Sequence, residues 1–476
     1  MVGPDFHRPA APTDSGYTPE PLATQTAAVN TRGGDAQHFV PAQDIPGEWW
    51  TLFRSEPLNH LIEQSLHANP DLDAAQAALR QAQENVRAQQ GALFPTANLN
   101  FQAEKERISG ASFGEPSLHA TFGLVTPTLN ISYAPDVFGG TRREIESLAA
   151  QAEYQRFQLE ATYLTLTSNV VVAAVQEASL RGQIEATRDI IRDQAQSLNL
   201  VRQRFSLGGA SQADVLTQQA QLAQTQATLP PLQKQLAQTR DQLTALAGQL
   251  PAHEVAETFA LDSMHLPQDM PVSLPSQLVE QRPDIRAAEA ELHAASAEIG
   301  VATAAQLPQF SISAALGATS TSFTNMFAPG TGVWTIAGGV AQTLFDAGTL
   351  LHKKRAAVAA FDQTAAQYRS TVIKACQNVA DALRAMQSDA DAMVAAAASE
   401  RAAAASLDLV QRQYQLGAID YLTLLNAQRT WQQARISLVQ AEATRYADTA
   451  ALFQALGGGW WHRSDVAQVA DNQQSR

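Results

Sequence analysis

A single cysteine, Cys376, occurs among 476 residues. That excludes an internal disulfide and a Cys-rich zinc site. Long apolar runs are also missing: no window reaches 18 consecutive apolar residues, and the stretches that come closest are short ones such as Val170-Val171-Val172-Ala173-Ala174-Val175. A bilayer-spanning helix is thereby ruled out, whereas a transmembrane β-barrel, whose strands need only alternating residues, is not. Charged residues make up only 16% of the chain and aromatics 7%, and the net charge is -14 with no basic cluster. A nucleic-acid surface needs concentrated Lys and Arg, so that class is set aside. The ten His are scattered, with no H-E-x-x-H pair, which leaves zinc chemistry without support. No charged segment followed by an apolar core opens the chain, so any signal peptide is expected to have been removed already.

What fills the chain instead is Ala, Gln, Leu and Thr, mostly helix formers, and the chain is written twice. Asn69-Pro70-Asp71-Leu72, followed by Ala74-Ala75, Leu79 and Pro95, returns as Arg282-Pro283-Asp284-Ile285, Ala287-Ala288, Leu292 and Pro308. Leu198, Val201, Phe205 and Leu207-Gly208 return as Leu407, Val410, Tyr414 and Leu416-Gly417. Each unit opens with a helix after its Pro-Asp pair, as a first helical turn prefers.

Near Pro95 and Pro308 the period changes to two. Ala97, Leu99, Phe101 and Ala103 alternate with Asn98, Asn100 and Gln102; Phe310, Ile312 and Ala314 alternate with Ser311 and Ser313. This predicts strands, each followed by a polar loop (107–118 and 318–332) and a returning strand, with Leu129, Ile131 and Tyr133 in the first hairpin and Trp334 and Ile336 in the second. Four strands per chain cannot close a channel, and open sheet edges are not tolerated in lipid, so several chains must contribute. A pair of soluble hairpins packed on helices is the alternative.

The rest of each unit reads as a helical pair. From Phe138-Gly139-Gly140 to Gly208-Gly209, and from Phe345-Asp346-Ala347-Gly348 to Gly417, the chain is almost unbroken. At about 1.5 Å per residue either stretch reaches about 100 Å. On the returning helices Leu222, Leu229, Leu236, Leu243 and Leu250 stand seven apart, as do Leu424, Trp431 and Leu438, with Leu452 in register and Arg445 breaking it. That is a coiled-coil seam, in which Pro230-Pro231 should kink or loosen the first copy. At the turns between the helices, Gly208 and Gly417 are expected to end one helix, while Ser211 and Asp420 cap the next. Gly110-Ala111-Ser112-Phe113-Gly114 has the spacing of a nucleophile elbow but lies between strands, with no helix after it, so no catalytic residue is assigned.

The resulting boundaries are an irregular arm (1–50), a short helical segment (51–94), a hairpin (95–137), a long helical pair (138–250), a linker with a second short helical segment (251–307), a second hairpin (308–346), a second helical pair (347–456) and a tail (457–476).

The start Val2-Gly3-Pro4-Asp5-Phe6-His7-Arg8-Pro9 and the ending Ala455-Leu456-Gly457-Gly458-Gly459-Trp460 enclose this duplicated unit. Together they resemble the NodT-type lipoprotein branch of the TolC-like outer-membrane factors along nearly the whole chain. The resemblance implies a mixed α and β membrane protein: a homotrimer with a 12-stranded transmembrane β-barrel, four strands per chain, continued by a periplasmic α-helical barrel. It implies a bacterial outer-membrane location, with a lipid anchor on a cysteine placed just before this stretch. The function implied is a passive exit duct of a tripartite efflux pump for small molecules such as drugs. It would be neither an enzyme nor a holder of cofactors, and would work with a periplasmic adaptor protein and an inner-membrane resistance-nodulation-division pump. By the same resemblance Arg204, Phe205, Gly208, Gly209, Tyr414, Gly417 and Ala418 form adaptor-docking tips. Leu422 supplies an apolar gate ring, and Asn426 stands where relatives often carry Asp, with Asp420 as another source of the carboxylate. A type I protein or peptide exporter and a soluble coiled-coil scaffold are the alternatives.

Overall fold

A computed structural model describes residues 1–41, 43–115 and 117–463; residues 464–476, most of the expected tail, lie outside the described residues. The chain divides into two compact units, one made of Met1–Pro9, Ala77–Arg156 and Ala287–Arg369, the other of Ala10–Gln76, Phe157–Arg286 and the chain from Ser370 on. Each unit draws on both halves of the repeat, so the two copies pack on each other rather than as separate beads.

The first unit is built on a four-stranded sheet. Strands β2 (Thr96–Ser109), β3 (His119–Tyr133), β5 (Gln309–Ala318) and β6 (Gly332–Ala341) pair antiparallel in that order. β2 runs further than its apolar alternation suggested, through Glu104-Lys105-Glu106-Arg107, because charged residues can continue a strand whose faces are already set. Helix α2 (Pro70–Gln90) leads into the first hairpin and α6 (Pro283–Ala304) into the second. The strands turn into helices α3 (Gly140–Ser206) and α7 (Thr349–Gln415) through two acidic caps. Asp136 accepts from the N–H groups of Thr141 (3.1 Å) and Arg142 (3.0 Å), and Asp346 from those of Gly348 (2.9 Å) and Leu350 (2.8 Å). Both helices have 67 residues, as the unbroken pattern predicted.

The N-terminal residues are held tightly in this unit. The buried Arg143 guanidinium donates to Val2 O (3.1 Å), Asp5 (2.7 Å) and Glu146 (2.7 Å), while Phe6 stacks on His293 at 4.4 Å. Gly3, at φ +91°, lies against Gly300 so closely that a Cβ there would overlap backbone.

The second unit contains α1 (Glu56–Ala68), α5 (Pro275–Gln281), α4 (Gln212–Leu246), α8 (Tyr421–Ala455) and the longer parts of α3 and α7. Its core includes an aromatic cluster, with Trp49 stacked on Phe453 at 5.3 Å and Phe53 tilted against Tyr446 at 6.3 Å.

Several expectations need correction here. The arm is not wholly irregular: β1 (His38–Pro41) pairs in parallel with β4 (Asp269–Val272), which raises the strands per chain beyond the four of the hairpins. Two four-residue runs, each containing proline and far apart in sequence, carry no period to read. The loosening expected at Pro230 and Pro231 is not among these corrections, although neither residue ends α4. They remove the helical donors for the carbonyls of Gln226 and Ala227, but both residues are exposed, so water can satisfy them. Leu250 lies past the end of α4 and is exposed, outside the seam; Leu222, Leu229 and Leu236 are only half-buried. Arg445, which breaks the second seam, is buried in the core. It donates to Gly33 O (2.5 Å), Asp35 O (3.0 Å), Gln37 Oε1 (3.3 Å) and Thr26 Oγ1 (3.3 Å), fastening the arm to α8.

Candidate functional site

The sheet has two unlike faces. The register places Ala97, Leu99 and Phe101 beside Ile131, Leu129 and Pro127; Leu129 and Ile131 beside Leu316 and Ala314; and those beside Trp334 and Ile336. Period-two alternation then gathers Asn98, Asn100, Gln102, Thr128, Asn130, Ser132, Ser311 and Ser313 on the opposite face. In the single chain the apolar face is uncovered, with Leu99 77% and Trp334 73% exposed. The outer edges of β2 and β6 are unpaired within the sheet. A soluble hairpin packed on helices would cover that apolar face. Lipid on one side and water on the other fits both faces.

The helix–turn–helix tips lie in the second unit and are near copies. Gly208 and Gly417 both adopt φ +76°, the left-handed conformation that ends a helix. Gly209 N–H reaches Arg204 O (2.8 Å) and Ala418 N–H reaches Gln413 O (2.9 Å), so the last carbonyls of α3 and α7 are satisfied in the same way. Ser211 then caps α4, accepting from Asp214 N–H (3.2 Å) while Asp214 accepts from Ser211 N–H (2.9 Å). Asp420 caps α8 by accepting from Thr423 N–H (2.9 Å) and Thr423 Oγ1 (2.5 Å), and those bonds hold its carboxyl below the usual range. One of its oxygens is thus committed to the cap.

The two tips touch. Arg204 donates to Tyr414 O (3.1 Å) and Gln415 O (2.8 Å), and its guanidinium lies 4.5 Å from the centre of the Tyr414 ring. Tyr414 meets Tyr421 edge-on at 5.9 Å, over a small core of Val201, Leu407, Leu424 and Leu425. Tyr421, directly after the Asp420 cap, is thus a structural part of the tip. Around this core the apolar side chains point outward: Leu207 is 86% and Leu416 84% exposed, and Phe205 is also exposed. Leu422 and Asn426, one turn apart on α8, are both exposed, on the side away from buried Leu424, Leu425 and Gln428. The structure brings Arg204 to Tyr414, and leaves Leu422 and Asn426 with open surroundings in one chain.

Further from the tips, Arg429 donates to Gln221 Oε1 (2.7 Å) and Arg435 to Asp189 (2.9 Å), joining α8 to α4 and α3 through polar contacts. Among the described residues no three His, Cys, Asp or Glu gather as a metal site, and no helix is long and apolar enough to cross a membrane.

A family described as "Outer membrane efflux protein" matches residues 61–249 and 274–458, one match for each half of the repeat. The pyoverdine export outer membrane protein OpmQ of Pseudomonas putida is 31% identical over 427 residues, covering 88% of this chain and 90% of that protein. The toluene efflux pump outer membrane protein TtgF of Pseudomonas putida is 28% identical over 485 residues, covering 98% of this chain and 96% of that protein. Among solved structures the outer-membrane channel OprN matches with a TM-score of 0.85 at 27% identity, over 96% of this chain and 99% of that one.

Proposed function

The chain belongs to the outer membrane efflux protein family, and from that premise we infer that it is the passive outer-membrane exit duct of a tripartite efflux pump. It is not an enzyme. It works with a periplasmic adaptor and an inner-membrane pump, which supplies the energy. The observation that carries this reading is the sheet: one face apolar, one polar, and both outer strands unpaired. An unpaired strand edge in hydrocarbon leaves its outward-pointing N–H and C=O groups unsatisfied, at several kcal/mol per group. Pairing β2 of one copy with β6 of the next removes every edge. Three copies make a barrel of twelve strands around a polar lumen, and the long helices continue the duct into the periplasm.

The exposed tips around Leu207 and Leu416 dock the adaptor, and Leu422 with Asn426 forms the resting constriction. In a trimer each residue occurs three times around the axis, so three Leu make a dry ring and three Asn a hydrogen-bonded one. The inner-membrane partner is of the resistance-nodulation-division type, and the chain is of the NodT-like branch with a lipid anchor at its N-terminal end. Small-molecule cargo is favoured over secreted protein, since relatives similar along nearly the full length are named for pyoverdine and toluene.

The first test is the detergent-corrected mass in solution by light scattering, beside a detergent-free sample. A particle near three times the 51.0 kDa chain mass that aggregates without detergent supports the shared barrel. A monodisperse monomer or dimer without detergent would leave only a soluble coiled-coil protein.

A further inference from the structure

Beyond Ala103 the residues of β2 sort by charge. Glu104 and Glu106 fall on the face of Asn98, Asn100 and Gln102, and Gln102 donates to Glu104 at 3.0 Å along that face. Lys105 and Arg107 fall on the other face, in line with Leu99 and Phe101. They pair with Gly123 and Thr121 of β3, and the next same-face rung pairs Ser109 with His119. The lipid-facing side of the first hairpin therefore changes along the strand from aliphatic (Leu99, Leu129) to aromatic (Phe101, with Phe323 stacked on it at 5.8 Å) to cationic (Lys105, Arg107), with the His119 imidazole on the next rung. The side chains of Lys105, Arg107 and His119 are all exposed, and none has an ion pair among the described residues.

No carboxylate in the sheet is available to them. Strand β3, and the whole second hairpin from residue 309 to 341, contain no Asp or Glu. A neighbouring copy supplying β6 to the edge of β2 therefore brings no negative charge. Two cations two residues apart on one face stand about 7 Å from each other, beside a surface already apolar enough to hold acyl chains.

We propose that Lys105, Arg107 and His119 form a binding site for the phosphate groups of an anionic, phosphorylated glycolipid in the leaflet that surrounds the hairpin turns, with its acyl chains lying along Phe101, Leu99 and Leu129. The site occurs three times per trimer and fixes the height of the barrel in the bilayer. Charge complementarity and continuity with the lipid-facing surface both select a lipid. Exposed cations in water hold a free phosphate weakly, because solvent and salt screen them, whereas acyl chains keep a lipid phosphate at the site. Arg supplies paired donors to phosphate oxygens and Lys a mobile point charge.

The inference rests on the barrel reading, and the test separates the two. Detergent-purified trimer is incubated with bisphosphorylated lipid A, monophosphorylated lipid A or phosphatidylethanolamine, and retained lipid is counted by native mass spectrometry; planar-bilayer conductance is recorded in parallel. Wild type should retain the bisphosphorylated lipid at least tenfold better than phosphatidylethanolamine, with the monophosphorylated form between. The triple variant Lys105→Gln, Arg107→Gln, His119→Gln should lose that preference while conducting as before. Arg107→Lys should keep most of it, and millimolar inorganic phosphate should not displace the lipid. Equal retention of all three lipids by a conducting wild type, full retention by the triple variant, or displacement by inorganic phosphate overturns the site and leaves the channel standing. If the triple variant does not assemble, Lys105→Gln alone decides, with about threefold loss expected and no loss counting against the site. A wild type that never conducts strikes the channel reading itself.

Discussion

Arg204 of α3 closes the last turn of α7: its guanidinium takes the carbonyls of Tyr414 and Gln415 and lies over the Tyr414 ring. The equivalent position in the second copy is Gln413, so the duplicated tips are fastened by a contact that only one of them supplies. Removing it should loosen both. Arg204→Ala is expected to raise amide exchange at residues 200–216 and 410–426 about tenfold, the equivalent of about 1.4 kcal/mol for charge-assisted bonds to the main chain. Arg204→Lys should not restore protection, since an ammonium cannot span two carbonyls and a ring face together. Unchanged exchange in the alanine variant would show the contact to be incidental.

Leu422 and Asn426 are exposed on one side of α8. If three copies of each narrow the resting pore, Leu422→Ala together with Asn426→Ala should raise single-channel conductance several-fold, by removing the dry ring and widening the polar one. Conductance equal to wild type would take both residues out of the gate.

Gly208 and Gly417 have no neighbour within 4 Å of where a Cβ would stand, so a substitution there acts through the backbone alone. Proline, locked near φ −65°, cannot adopt the φ of +76° found at both. Gly208→Pro or Gly417→Pro should abolish complementation of an efflux-deficient strain while the trimer still assembles. Normal drug resistance with either variant would argue against adaptor docking at the tips.

Burial pushes the Glu442 carboxyl up to about 7, with Arg32 pulling weakly the other way. Asp448, also on α8, is pushed up to about 7 by burial and by Asp389 beside it. Both acids hold a proton more firmly folded than unfolded, so their contribution to stability is full below the unfolded carboxylate range and is lost as pH rises to about 7. The melting temperature should therefore fall between pH 5 and pH 8. For Glu442 the loss amounts to about 3 kcal/mol. Glu442→Gln should remove its share of this dependence and leave that of Asp448; a melting temperature that rises over the same interval would refute the assignment.

Arg445→Ala removes a buried donor from four oxygens of the arm, three of them on Gly33, Asp35 and Gln37. Leaving those acceptors unpaired is expected to cost about 3 kcal/mol. Limited proteolysis should then cut the arm between residues 26 and 41 well before the helices; an arm as resistant as in wild type would show that β1 and β4 hold it unaided.

Much of the fold could be read from local pattern, because two periods are enough to name its parts. Alternation at Leu99 and Phe101 announced strands, the almost unbroken runs to Gly208 and Gly417 announced very long helices, and the repeat told that each occurred twice. The caps were equally visible, since a left-handed glycine and a side-chain oxygen at the next helix start are local chemistry. What could not be read depends on residues far apart in the chain. β1 meets β4 across some 230 residues, Arg445 looks like an error in a leucine seam until the arm folds over it, and Arg204 finds Tyr414 only once α3 and α7 lie side by side. Faces and breaks follow from the order of side chains, because a helix or strand sets their direction residue by residue. Which buried charge is satisfied, and by which carbonyl, was decided by the tertiary structure alone, because a desolvated donor takes whatever acceptor the packing brings within about 3 Å.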